Sequence, residues 1–129
     1  MTSARVTGLL VVILMFSMTS CSRSAPLTLD TSVASARSAA LVADGQIQGE
    51  VANGHACFWI TTPDGATVSL VWPEGSTARD NPLRVEDDRG RIIAAVGDDP
   101  SRLSGHPSDE PGCATESTRF ILGPIESEG

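Results

Sequence analysis

The chain has no lysine and no tyrosine. It has only two histidines, and three cysteines with no Cys-x-x-Cys pair, among 129 residues. Without lysine there is no side-chain amine for Schiff-base chemistry. Without Cys-x-x-Cys the usual ligand spacing of a structural zinc site is missing. Aromatics make up 4% of the chain, whereas a single-strand nucleic-acid groove needs several stacking rings among basic residues. The formal net charge of −7 also opposes a phosphate backbone, so nucleic acid is set aside as a partner. No Gly-x-Ser-x-Gly elbow is present, which removes the sequence signature of an α/β-hydrolase. Nor is there an apolar run of the roughly 20 residues that a membrane-spanning helix requires.

The longest apolar run is residues 9–16, Leu-Leu-Val-Val-Ile-Leu-Met-Phe. A small positive start at Arg5 precedes it, and Ser17-Met18-Thr19-Ser20 follows it, leading to Cys21. This order describes a secretory signal peptide. Met18-Thr19-Ser20-Cys21 resembles the lipobox of bacterial lipoproteins, with Met18 standing where a branched aliphatic is usual. The resemblance implies cleavage before Cys21 and a diacylglyceryl group on its sulfur. Two acyl chains give stable membrane anchoring where one gives only marginal binding. Residues 1–20 are then a lipoprotein signal peptide, and the protein sits at the extracytoplasmic face of the cell membrane. Two other readings stand beside it: an uncleaved membrane helix, for which the run is short, and ordinary secretion with Cys21 in a discarded peptide.

Cleavage would leave 109 residues carrying sixteen acids and eight arginines, a net charge of −8. Residues 21–43 are rich in Ser, Ala and Thr and are expected to be the lipidated cysteine and a flexible tether. A short helix over residues 32–42 is the other reading of that stretch, since Ala favours helix. Residues 44–126 are expected to form one small domain, with residues 127–129 as a tail. A domain of that size has a shallow core and commonly needs a covalent staple. With Cys21 assigned to lipid, Cys57 and Cys113 remain, and an exported chain meets a compartment where disulfides persist. The competing use of these residues is a metal site of His55, Cys57, His106 and Cys113. The His-x-Cys spacing fits a structural zinc site poorly, so the expectation is a disulfide, with no metal and no cofactor.

Residues 46–51 alternate apolar and polar side chains at strand period. Asn53-Gly54 is a hairpin turn signal. Residues 55–61 are aromatic and β-branched, and so apolar throughout that the buried face cannot be read from them. Pro63-Asp64-Gly65 is a tight turn, and residues 67–72 return with Val68, Leu70 and Trp72 on one face. Further strands are expected at 83–86, 91–96 and 118–123, with a brief one near 102–105 inside a Gly/Pro/Asp-rich loop over 97–112. A polar loop is expected near 76–82. Short strands between regular turns indicate an all-β fold. The architecture expected is a small five- to six-stranded barrel, closed or partly closed and OB-fold-like, because closure removes exposed strand edges.

One longer resemblance covers residues 54–122. Cys57-Phe58-Trp59, Leu70-Val71-Trp72-Pro73-Glu74-Gly75, Leu83-Arg84-Val85 before Asp87-Asp88-Arg89-Gly90, Val96-Gly97-Asp98, Leu103-Ser104-Gly105 and Gly112-Cys113 are together similar to a set of small bacterial exported proteins and lipoproteins. The resemblance implies a small β domain with paired cysteines, and it implies no activity.

Only His55 and His106 are available as general bases near neutral pH. Asp87-Asp88 and Asp98-Asp99 lack the spaced ligands of an EF-hand loop and read as solvated turn carboxylates. Trp59 and Trp72 read either as core or as an aromatic binding surface. The functional expectation is a non-catalytic, lipid-anchored binding or interaction module of the cell envelope. Its partner would be an envelope protein or a small ligand, met at a surface including His55, Trp59, Trp72 or His106. The alternative is a small envelope hydrolase with His55 or His106 as its base.

Overall fold

Pro63-Asp64-Gly65 closes the hairpin around which the protein is built. The computed structural model describes residues 25–33 and 39–125. The signal peptide, Cys21 and the tail at 127–129 lie outside the described residues. In the turn, Gly65 has φ 91°, and its N–H donates to the Thr62 carbonyl at 2.9 Å. It joins β5 (His55–Thr61) to β6 (Thr67–Pro73), which pair antiparallel with Trp59 opposite Ser69. Before it, β4 (Asp44–Ala52) pairs with β5 through Asn53-Gly54. Both turn residues have positive φ, 53° and 77°, the backbone that a two-residue hairpin of this twist requires.

The remaining strands attach from both ends of the chain. β11 (Ser117–Leu122) pairs parallel to β6, and β10 (Ser104–Pro111) pairs antiparallel to β11. β1 (Thr28–Leu29) runs parallel to the start of β5, and β2 (Thr31–Ser32) runs parallel to the end of β6. Residues 28–32 thus fill the mouth of the hairpin where β5 and β6 part. β3 (Ala39–Ala40) pairs with β10. The order is β1-β5-β6-β11-β10-β3. A second sheet has the order β7 (Thr77–Arg79), β8 (Arg84–Glu86), β9 (Ile92–Ala95). A 3-10 turn, Pro100–Arg102, is capped by the Asp99 carboxylate.

The protein is all-β, as the alternation of the sequence indicates, but no closed barrel forms among the described residues. The large sheet is an open path with β1 and β3 at its ends, which corrects the closed form of the expected five- to six-stranded barrel. Its unclosed edges are blunted instead. Pro107 and Pro111 lie on the part of β10 that has β11 on one side only, where a missing N–H leaves no ladder bond unmade.

Three loop expectations also change. Thr28–Leu29, Thr31–Ser32 and Ala39–Ala40 are strands within the expected tether, and Leu41 is buried. β7 replaces part of the polar loop near 76–82, and β10 most of the loop over 97–112. These segments are short or polar, and pairing to neighbours rather than their own apolar pattern makes them strands.

One core serves both sheets. Ala56, Phe58 and Ile60 of β5, Leu70 and Trp72 of β6, Ile47 of β4 and Leu122 of β11 are buried together with Ala78, Val85, Ile93 and Ala94 of the small sheet. Phe58 and Trp72 meet edge to face, with ring centroids 5.4 Å apart. Each such burial contributes about 1.5–3 kcal/mol.

Candidate binding cleft on the outer face of the sheet

Side chains alternate across β5, so the face opposite the core carries Cys57 and Trp59. Residues paired across strands share a face. Glu50 lies opposite Cys57, Gln48 opposite Trp59, and Trp59 opposite Ser69. The parallel register sets Ser117 beside Thr67 and Arg119 beside Ser69. This outer face is polar apart from Ala52, Cys57, Trp59, Val71 and Ile121.

The loop over 112–116 lies down on it. Cys113 is joined to Cys57, with Cα atoms 5.8 Å apart, so the expected disulfide is present and the metal set of His55, Cys57, His106 and Cys113 is overturned. The Ala114 N–H donates to Ser69 Oγ at 3.0 Å. Ser117 Oγ donates to the Ala114 carbonyl at 2.7 Å. The Ser69 hydroxyl must therefore donate to Ser117 Oγ, 2.7 Å away, closing a ring of bonds around buried oxygens. Ser69 is 0% exposed, and such a group is tolerated because its bonds are made. Gly112 is required here, since a Cβ would collide with Ser69 and with the Ser117 hydroxyl.

Between this loop and β4–β6 lies an open cleft of about 280 Å³, lined by Glu50, Trp59, Thr67, Cys113, Ala114 and Thr115. Trp59 is half-buried and Glu50 exposed. Neither these two side chains nor the hydroxyls of Thr67 and Thr115 have a hydrogen bond or ion pair among the described residues. The cleft thus offers an aromatic side chain, a carboxylate and two hydroxyls that have no partner among the described residues. Arg119, on the same face, is engaged with the Pro111 carbonyl at 3.0 Å and Glu110 at 3.4 Å.

The other residues singled out from sequence lie elsewhere. Trp72 is 0% exposed and belongs to the core, which corrects its expected place on a ligand surface. Its Nε1–H is buried and finds no partner among the described residues. His106 is on β10 and His55 on β5, three strand positions apart in the sheet, so the two histidines do not share a site.

His55 is bracketed by the chain's N-terminal segment. Its Nδ1 is 2.8 Å from Thr28 Oγ1, and its Nε2 is 3.3 Å from Asp30 Oδ1. Thr28 Oγ1 also lies 3.2 Å from the Gly54 carbonyl. Hydroxyl, imidazole and carboxylate are in line, and together they pin residues 28–30 to the hairpin mouth.

A second cleft of about 230 Å³ lies against Glu74, Asp87, Asp88, Ile93 and Ile125. Asp87 is committed to its own turn. The Arg91 backbone N–H holds its carboxyl below the usual carboxylate range, against the opposing effect of burial, and the Arg89 N–H and Arg91 side chain add to the lowering. Asp98 accepts from the Ala95 N–H and Asp99 from the Ser101 N–H. These are turn carboxylates, as their spacing in the sequence indicates. Among the described residues no three His, Cys, Asp or Glu side chains gather as a metal site.

Glu50, Thr67 and Thr115 are the lining residues that the sequence reading missed. For Glu50 the signal exists: counting back from the two-residue turn Asn53-Gly54 sets Glu50 opposite Cys57. For Thr67 and Thr115 it does not, because their proximity depends on how the loop over 112–116 is laid across β6. No family model, curated protein or solved structure matches the chain.

Proposed function

We propose that the protein is a non-catalytic, lipid-anchored binding module at the extracytoplasmic face of the bacterial cell membrane, and that its ligand surface is the cleft around Trp59. The observation that carries the binding assignment is a set of unengaged polar groups converging beside a half-buried tryptophan. A concave site with a few convergent polar groups is the usual form of a ligand pocket. Export is supported by the Cys57–Cys113 bond, since disulfides persist outside the reducing cytoplasm. Anchoring rests on the order of residues 9–21. Leu27, which bridges to Ala78, is six residues after Cys21, and an extended stretch of that length reaches only about 20 Å. The domain would therefore stand close to the bilayer.

Membrane fractionation and intact-mass analysis test the anchor. The wild-type protein is expected in the membrane with a diacylglyceryl-modified Cys21 at its N-terminus, and Cys21→Ala is expected to abolish that mass and release the protein or leave an uncleaved precursor. An unmodified N-terminus elsewhere would favour plain secretion. Crosslinking from a photoreactive group at Thr115 in intact envelopes tests the binding surface.

A second reading, a small envelope hydrolase, draws on the Thr28–His55–Asp30 array, where an imidazole lies between a hydroxyl and a carboxylate as nucleophilic catalysis requires. It ranks second because neither cleft described above includes His55. Turnover of an ester or peptide substrate that His55→Ala abolishes would reverse the ranking.

A further inference from the structure

We infer that the cleft binds a small organic cation, an amine or quaternary ammonium group, held between the Trp59 ring and the Glu50 carboxylate. The inference rests on the cleft being a ligand surface and adds the class of ligand. Glu50 and Trp59 are diagonal neighbours on one face, since Glu50 opposes Cys57 and Gln48 opposes Trp59. Diagonal neighbours lie about 7–8 Å apart, their Cβ atoms somewhat closer, within reach of aromatic and long side chains, so carboxylate and ring can both touch one group the size of an ammonium. An aromatic face attracts a cation through its quadrupole, most strongly for tryptophan. Among the described residues no cation is paired with the carboxylate. Arginine and lysine are absent from the lining, and Arg119 is turned to Glu110 and Pro111.

The alternative occupant, a sugar, also stacks on tryptophan and can donate hydroxyls to Glu50, but it brings no positive charge to the carboxylate. The lining further lacks the amide and guanidinium groups that bond sugar hydroxyls in pairs. The acidic chain as a whole, at −7, raises the local concentration of cations. Thr67 and Thr115 contribute hydroxyl acceptors, which an ammonium bearing N–H groups can use and a quaternary one cannot.

Saturation-transfer NMR on the full exported protein, with tetramethylammonium as probe at constant ionic strength, tests this. The expected result is transfer to the probe methyl groups with a dissociation constant on the order of 1–10 mM. Glu50→Gln should weaken binding about tenfold, and Trp59→Leu should remove the signal. Emission from the buried Trp72 verifies that each variant is folded. Absence of transfer to the wild-type protein, or equal transfer in both folded variants, would overturn the inference. So would saturable binding of an N-acetylated oligosaccharide with no response to the cation. In that last case, or if Thr115 crosslinks a protein partner while the cation fails, the cleft remains a binding surface and only the ligand class is lost. Phosphatidylcholine vesicles distinguish the source of the group: displacement of the probe indicates a lipid headgroup, and no displacement indicates a soluble cation. Either result supports the inference.

Discussion

β5 and β6 present two faces that are held by different forces. Toward the core, Phe58, Ile60, Leu70 and Trp72 are packed against the small sheet and are essentially without solvent. On the other side, Cys57, Ser69 and Ser117 hold the loop over 112–116 by one disulfide and a ring of hydrogen bonds. The loop residues Gly112, Cys113, Ala114, Thr115 and Glu116 offer little apolar surface, so hydrophobic burial cannot fix them. Covalent and directional bonds do so instead, and they leave the neighbouring Trp59 and Glu50 open. A face tied down by apolar contact would have had to cover the tryptophan.

The largest expected effect is on the inner face. Phe58→Ala should lower stability by about 3–5 kcal/mol in urea unfolding, through lost transfer energy and a cavity beside Trp72. Replacing Cys57 and Cys113 together with serine should cost about 2–5 kcal/mol, because the bond closes a separation of 56 residues. If that double variant loses more than Phe58→Ala, the outer face is the principal support of the fold and the contrast inverts.

Ser69→Ala strands the Ala114 N–H and removes the donor to Ser117 Oγ, and should cost about 1–3 kcal/mol. Combined with loss of the disulfide it should cost less than it does alone, since the released loop no longer depends on Ser69. A double-mutant cycle measures that coupling, and strict additivity would mean that bond and hydroxyls act independently.

The smallest effect concerns the hairpin turn that both faces share. The Thr62 hydroxyl bonds the Asp64 carboxylate. That bond, with the Ala66 N–H assisting, lowers the Asp64 pKa from its ordinary 3.8. A carboxyl more acidic folded than unfolded adds stability that is complete above about pH 4 and lost as pH falls through the folded midpoint. Thr62→Val should move the Asp64 midpoint, followed by NMR titration, back toward its ordinary value. An unchanged midpoint would assign the lowering to the backbone.

The same two faces explain which parts were legible in the sequence. Turn residues and alternation locate β4, β5 and β6, because Asn53-Gly54 and Pro63-Asp64-Gly65 set their register locally. Cys57 and Cys113 follow from compartment and count. Trp59 and Trp72 are chemically alike, and only their phase in the pleat makes one a cleft wall and the other core. For Trp59 that phase is hidden in a strand that is apolar on both sides, whereas Trp72 shares a readable face with Val68 and Leu70. Leu27 and Leu29 alternate with Thr28 and Asp30, a strand signal outweighed by the Ser- and Ala-rich stretch around it. β10 has no such signal: Ser104-Gly105-His106-Pro107 becomes strand because β11 lies beside it.

Residues 28–32 leave the ribosome before any of their partners exist. Thr28 pairs with His55 and Thr31 with Trp72, while β11 pairs with β6 across about fifty intervening residues. Loops of that length must close before pairing offsets their entropy, which slows folding relative to consecutive hairpins. The small sheet β7-β8-β9 and the β10-β11 pair zip in order of synthesis, and so do β4, β5 and β6. Both ends of the chain must then return to them, the first strand into the hairpin mouth and the last along β6. Such a chain does not complete its large sheet until Leu122 is available, long after the small sheet has closed at Ala95.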